Sequence, residues 1–304
     1  VVVIGRHPAQ FDAPFQRKLE NAHTLFINPS PEHVRDGDFR GSLVCDPRIV
    51  IPTLIAVAEE RLTGKPCSAA DLTEQLPAYG GVAKQFAAGV HAAREMHKDT
   101  DCVKFLTLSG ALTPAKMAYV ICDIIEADLA NAIVSTGAIM THGLVEAAGW
   151  KHLRHNPDLT DTKLAALKQN RIGDILEPEE NLSAAEGFVS DILSRITSPT
   201  ISSAKLHRLM GKELAHQFPD KRGILKSAFE KDIPVVVPAF YDSEIGNDVY
   251  VHNIVRKQNG RERLTIDTSL DTELLLDLVW QAPRCGIFTI GGGGLVVDGL
   301  ALFN

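Results

Sequence analysis

Four stretches of this sequence place small or polar residues where a strand hands over to a helix: Ser109-Gly110-Ala111, Ser135-Thr136-Gly137-Ala138, Asp242-Ser243-Glu244-Ile245-Gly246 and Gly291-Gly292-Gly293-Gly294. Residues without bulky side chains let backbone N–H groups approach a phosphate, and a helix N-terminus beyond them adds a dipole that favours an anion. Together the four stretches predict a nucleotide or dinucleotide crevice. Taken singly, each also has a plainer reading: the glycine run as a flexible turn, Thr136-Gly137 as a threonine-capped helix start, and Asp242 with Glu244 as an exposed capping pair. Neither G-x-G-x-x-G nor G-x-x-x-x-G-K-[ST] occurs, so a kinase or nucleoside triphosphatase loses support.

Of the eleven histidines, His142 directly follows a strand-end turn, from which it either reaches a bound ligand or caps the helix start. His152 and His155 lie three apart, yet no Asp, Glu or Cys follows at zinc-motif spacing. They read as a solvated loop, and no metal site is expected. His91 and His97 read as surface positions of an alanine-rich helix. No G-x-S-x-G elbow occurs, and Cys285 after Arg284 leads into an apolar strand rather than a catalytic turn, so hydrolase chemistry has no foothold.

The elements that must position these residues alternate short apolar runs with longer segments of helical period, the pattern of an α/β fold with a parallel sheet. Residues 103–108, 132–136, 233–238 and 286–290 read as strands. Thr113, with Pro114 in the first turn, predicts a helix through Met117, Val120, Ile121 and Ile124. A second helix carries Leu144, Val145 and Ala148. Ser183-Ala-Ala-Glu186 is a capping-box pattern expected to open a helix through Phe188, Ile192 and Ile196. Ser202 or Ser203 opens another through Leu206, Met210 and Leu214, and further helices are expected over 223–231 and 271–280. The expected fold is doubly wound and Rossmann-like, a mostly parallel sheet with helices on both faces and ligands at the carboxyl ends of its strands. Residues 1–80 read as an irregular N-terminal arm, with one helix over 52–62, packed on a main domain of residues 81–304.

Composition narrows the partners. Lys and Arg number 31 against 38 Asp and Glu, a net charge of −7, so no excess of positive charge waits for nucleic acid, while a cationic ligand is compatible. Five cysteines (45, 67, 102, 122 and 285) include no C-x-x-C pair and are odd in number, which reads as buried thiols in a reducing compartment. No apolar stretch approaches the roughly 20 residues of a membrane span. The opening Val1-Val-Val-Ile-Gly-Arg is too short in its apolar part for a secretory signal. A cytoplasmic protein is therefore expected. The sequence starts at Val1 rather than Met, and the expectation is that it is not the nascent chain.

Val134-Ser-Thr-Gly-Ala-Ile-Met-Thr-His142, Asn170-Arg-Ile-Gly-Asp174 with Glu177-Pro-Glu-Glu-Asn181, Ile233-Pro-Val-Val-Val-Pro-Ala-Phe-Tyr-Asp-Ser-Glu-Ile-Gly246 and Ile290-Gly-Gly-Gly293 resemble deoxyhypusine synthase in order and spacing, over roughly residues 85–294. The variant forms resemble the archaeal and bacterial deoxyhypusine synthase-like branch. The resemblance implies an NAD-dependent aminobutyl transfer. NAD takes a hydride from spermidine, an enzyme lysine holds the butylamine as an imine, and the group passes to an acceptor, either a lysine of a translation factor or a free polyamine that becomes homospermidine. It also implies a homotetramer with sites between subunits.

Carried over by position, the resemblance places NAD contacts on Ser109, Gly110, Thr136, Gly137, Ala138, Asp242, Gly291, Gly292 and Gly293. Polyamine contacts fall on His142, Glu244, Asn247 and Asp248, because a polycation needs carboxylates to replace its hydration. Two departures stand out. Asn247 occupies a position where the family often has an acid. The family's Trp-Gly-Lys segment, source of the covalent lysine, has no counterpart, since Trp150 is followed by Lys151 and Trp280 by Gln281. No catalytic residue is assigned. The expectation is that this segment lies outside the 304 residues; the alternative is a non-catalytic NAD- or polyamine-binding homologue.

Overall fold

The computed structural model describes the chain at residues 2–4, 25–28, 42–44, 92–108 and 112–290. The expected helix over 52–62, His91, Cys45 and Cys67 lie outside these residues. The chain forms two compact units, one of Val1–Ser109, Asp123–Val134 and Leu275–Asn304, the other of Gly110–Cys122 and Ser135–Leu274.

The first unit is built on a parallel sheet. Its strands are β1 (Val2–Ile4), β2 (Leu25–Asn28), β3 (Ser42–Val44), β4 (Cys102–Leu108), β5 (Ala132–Val134) and β12 (Arg284–Ile290), in the order β5-β4-β12-β1-β2-β3. Every pairing among them is parallel. In β4 the run Phe105-Leu-Thr-Leu108 is buried throughout, as expected of a strand covered on both faces. Its register with β12 runs from Arg284 opposite Cys102 to Ile290 opposite Leu108, and the facing Thr107 and Thr289 hydroxyls share a buried 2.7 Å hydrogen bond. Leu108 and Ile290 end their strands immediately before the Ser109-Gly110 and Gly291-Gly292-Gly293 stretches, which lie outside the described residues. Cys102 is buried as expected and carries a free thiol.

The helix expected from Thr113 begins later. α1 spans Ala118–Glu126. Lys116 sits at φ 65°, a left-handed conformation that cannot continue a helix, so the preceding residues form turns instead. Thr113 is buried and donates its hydroxyl to the Ile139 carbonyl at 3.3 Å.

The second unit holds α2 (Gly137–Ala147), then an antiparallel sheet of β6 (Leu153–Arg154), β7 (Gln169–Ile172) and β8 (Ile175–Pro178) in the order β6-β8-β7, with α3 (Asp161–Ala166) in between. α4 (Glu179–Ser194) follows β8 directly. It starts four residues before the expected capping box, because Pro178 takes the cap position and Glu179 and Glu180 supply the negative charge that a helix start favours. Ser183 and Glu186 are therefore helix-interior positions.

β9 (Thr200–Ile201) pairs in parallel with β11 (Thr265–Ile266). Between them lie α5 (Ser203–Gln217), α6 (Ile224–Glu230), β10 (Val235–Val236) and α7 (Glu244–Gln258), and α8 (Thr268–Gln281) follows. Ser202 caps α5, its hydroxyl accepting from Lys205 N at 3.0 Å, and the buried Asp271 carboxylate accepts from Ser203 N and Ala204 N at 2.9 Å each. The core of this unit collects Ile139 and Leu144 of α2, Val189 and Leu193 of α4, Leu206 and Met210 of α5, and Ile224 of α6, all buried.

Candidate functional site

Two helix starts meet at the centre of the second unit. Thr136 is extended (φ −88°, ψ 152°) and its hydroxyl accepts from Ile139 N at 3.4 Å, which makes it the cap of α2. His142 is thereby excluded as that cap; it lies in the helix interior. Ser243 caps α7, accepting from Gly246 N at 3.0 Å while donating to the Phe240 carbonyl at 2.7 Å. The capping role considered for Asp242 and Glu244 thus belongs to the serine between them, and both acids are exposed. A Cβ on Gly137 would stand 2.2 Å from Ser243 Cβ, and one on Gly246 2.5 Å from the Phe240 carbonyl. Gly137 is demanded by the Ser243 side chain and Gly246 by the Phe240–Tyr241 backbone, before any ligand enters.

Beside this junction a cavity of about 200 Å³ is lined by Thr141 of α2, by Glu179, Leu182, Ser183, Ala185 and Glu186 of α4, and by Glu244, Ile245 and Asp248 of α7. It gathers four carboxyl groups. Burial pushes the Asp248 carboxyl up, and the negative charges of Glu186 and Glu244 push it further, to about 7. Of the residues expected to bind a polyamine, Glu244 and Asp248 line this cavity, while His142 and Asn247 do not. Thr141, Glu179 and Glu186 were not among the expected residues. Their signal is the spacing i, i+4, i+7 of Glu179, Ser183 and Glu186, one face of one helix, answered by Glu244 and Asp248 at i, i+4.

A second cluster of ionisable groups is buried nearby in sequence. Glu177, at the end of β8, accepts from Asn181 Nδ2 at 2.8 Å through Oε1, and its Oε2 lies 2.9 Å from His142 Nδ1 and 2.5 Å from His152 Nε2. The other ring nitrogen of His152, Nδ1, is 3.2 Å from Glu146 Oε1, which in turn meets Lys116 Nζ at 2.5 Å. The side chain of His152 is 0% exposed, which corrects its reading as part of a solvated loop. The antiparallel register explains why: Leu153 pairs with Leu176, so the next positions outward are His152 and Glu177. His155 fits the loop reading better, with Nε2 3.3 Å from the Leu159 carbonyl.

Burial opposes charge on His152, but the flanking Glu146 and Glu177 carboxylates outweigh it and raise the imidazole to about 9. Burial likewise raises Glu177, and the facing His142 and His152 rings with the Asn181 amide overcome it and bring the carboxyl down to about 2. The donor atoms of His142, His152 and Glu177 all lie within 4.8 Å of one another, although no zinc-motif spacing joins them in sequence.

The fold and these sites define an α/β protein with a parallel sheet and an anionic pocket beside two capped helix starts. The family profile described as deoxyhypusine synthase matches residues 71–296, and the chain belongs to that family. A probable deoxyhypusine synthase 2 of Methanosarcina acetivorans is 31% identical over 226 residues, covering 74% of this chain and 64% of that protein. A deoxyhypusine synthase-like protein of Chlorobaculum tepidum is 30% identical over 223 residues, covering 73% and 63%. A probable deoxyhypusine synthase of Sulfolobus acidocaldarius is 29% identical over 219 residues, covering 71% and 67%. The chain thus spans a little under two thirds of the length of the first two relatives. Among the described residues, no helix is long and apolar enough to cross a membrane.

Proposed function

We propose that the protein is an NAD-dependent aminobutyltransferase, moving the aminobutyl group of spermidine to an acceptor amine that is either a lysine of a translation factor or a free polyamine. The observation that carries this reading is Asp248, a carboxyl held up to about 7 by burial and by two neighbouring carboxylates. Such a cluster is relieved by a multivalent cation, whose charge replaces the water the acids have lost. Spermidine is a cation of that kind. Glu244 and Asp248, with Glu179 and Glu186 opposite, would hold its ammonium groups and fix its direction in the cavity. Thr141 also lines this space, its hydroxyl donating to the Gly137 carbonyl at 3.1 Å.

NAD is assigned to Thr136, Gly137, Ala138 and Asp242, together with Ser109, Gly110, Gly291, Gly292 and Gly293. The chemistry of the described part suits it: α2 has no acidic residue in its first turn, leaving its positive end available to a pyrophosphate, and Asp242 is an exposed acid of the type that accepts ribose hydroxyls. When bound, NAD supplies the hydride acceptor for oxidation of the donor amine. No residue of this sequence is assigned as the imine-forming lysine. The reading also includes a homotetramer and a cytoplasmic location.

The test is incubation with NAD and labelled spermidine, followed by measurement of diaminopropane. Release of diaminopropane is the expected result. Binding of both ligands without release would replace this reading with that of a non-catalytic NAD- and polyamine-binding homologue.

A further inference from the structure

We propose that His142, His152 and Glu177 form a binding site for one divalent cation of the zinc class, independent of the transferase reading. The three residues come from different elements. His142 lies in α2, His152 follows the end of that helix by five residues, and Glu177 is the penultimate residue of β8. No local zinc spacing joins them, which is why only the folded chain reveals the set. His142 Nδ1, His152 Nε2 and Glu177 Oε2 converge within 4.8 Å.

The surroundings have the form of a metal centre's outer layer. His152 Nδ1 is engaged by Glu146 at 3.2 Å, and Glu146 is anchored by Lys116. That fixes the ring and turns Nε2 inward. A histidine held by a carboxylate on one nitrogen and presenting the other is the usual carboxylate–histidine–metal arrangement. His152 is 8% exposed, and its Nε2 is fully buried with no aligned hydrogen-bond partner, although Glu177 Oε2 stands 2.5 Å away. Glu177 is oriented in the same manner, its Oε1 held by Asn181 and its Oε2 left to the two histidines. The side chain of His142 is 16% exposed and provides the route by which an ion enters.

Two imidazoles and one carboxylate favour zinc and its transition-metal neighbours over magnesium and calcium, which prefer all-oxygen sets. With metal–ligand bonds of about 2.0–2.2 Å, tetrahedral donors stand roughly 3.3 Å apart. The present separations of 2.5 and 2.9 Å require the donors to part by less than about 1 Å as the ion enters. Three protein ligands leave a fourth position for water, and the bound ion would tie α2 to β8 and to the start of α4.

The test uses chelator-treated protein, returned to chelator-free buffer and titrated with Zn²⁺ by calorimetry and with Co²⁺ by visible absorption. One equivalent of Zn²⁺, the d–d bands of four-coordinate Co²⁺ and a raised melting temperature are expected, with no response to Mg²⁺. Glu177→Gln should weaken Zn²⁺ binding about tenfold or more. Because that buried change also threatens folding, His142→Asn, at the more exposed ligand, is the second variant, with circular dichroism to verify its fold. His216→Asn, at a side chain 83% exposed, should change nothing. Absence of stoichiometric Zn²⁺ binding by the unmodified protein would overturn the proposal, as would undiminished binding by folded His142→Asn. Neither result bears on diaminopropane release.

Discussion

Glu177 and Asp248 are carboxylates of the same unit, both partly withdrawn from water, and burial raises both. Their neighbours then drive them apart. Two histidines and an asparagine amide bring Glu177 down to about 2, whereas two further acids carry Asp248 up to about 7. Desolvation is thus common to the two regions, and the identity of the partners decides the outcome. Around Glu177 the carboxylate faces two imidazoles and an amide of its own chain, so that even without an ion the region ties α2, β8 and α4 together. In the acidic cavity the charges that act on Asp248 are of its own sign, so the same acids gain by meeting a cation from outside.

The largest expected effect comes from breaking the satisfied region. Glu177→Ala removes the carboxylate that His142, His152 and Asn181 all face and leaves their buried polar atoms without it. In metal-free buffer the loss should be about 3–5 kcal/mol, read as a fall in the urea midpoint with the slope unchanged. A midpoint equal to that of the unmodified protein would remove the distinction drawn between the two regions.

Gly137→Ala attacks the junction of the two helix starts and should cost about 1–3 kcal/mol, because the new methyl group meets Ser243 Cβ at 2.2 Å. Adding Ser243→Gly should recover part of that loss, and the coupling between the two changes, measured by a double-mutant cycle in urea, separates the clash from the lost cap. Strictly additive effects would show that the two helix starts do not lean on each other.

Much of the frame was readable in the residues. β4 and β12 follow from apolar runs, Thr136 and Ser202 from their capping chemistry, and α6 from the break at Gly223. The acidic cavity was half readable. Glu244 and Asp248 lie on a helix whose start Ser243 fixes, but the capping-box pattern at Ser183 set the start of α4 too late, and with the wrong start Glu179 and Glu186 have no common face. The histidine cluster was not readable at all. His152 and Glu177 stand opposite each other only because β6 and β8 pair in one antiparallel register, and strand register is a tertiary choice. Solvation of a loop is likewise decided by what folds over it, so two histidines without a nearby ligand residue gave no sign of burial.

The unsatisfied region offers the smallest and sharpest test. Asp248 carries a folded-state value of about 7 against 3.8 for the ordinary carboxyl, so the native protein holds a proton there that the unfolded chain has released. Its contribution to stability therefore falls as pH rises from about 4 to about 7, and Asp248→Asn should flatten that part of the stability profile. Binding runs the other way. The ammonium groups of spermidine stay charged through this range, their ordinary values lying near 10, while Asp248 gains its negative charge beside Glu186 and Glu244, with Glu179 on the facing helix. Spermidine affinity should consequently rise about tenfold from pH 6 to pH 8 at constant ionic strength, and Asp248→Asn should abolish the rise. Glu186→Gln removes one of the two charges that hold the Asp248 proton, so it should move the midpoint of the rise to lower pH. A calorimetric titration that finds the midpoint unmoved would mean that Glu186 does not act on Asp248, and that the acids of the two helices do not act as one site.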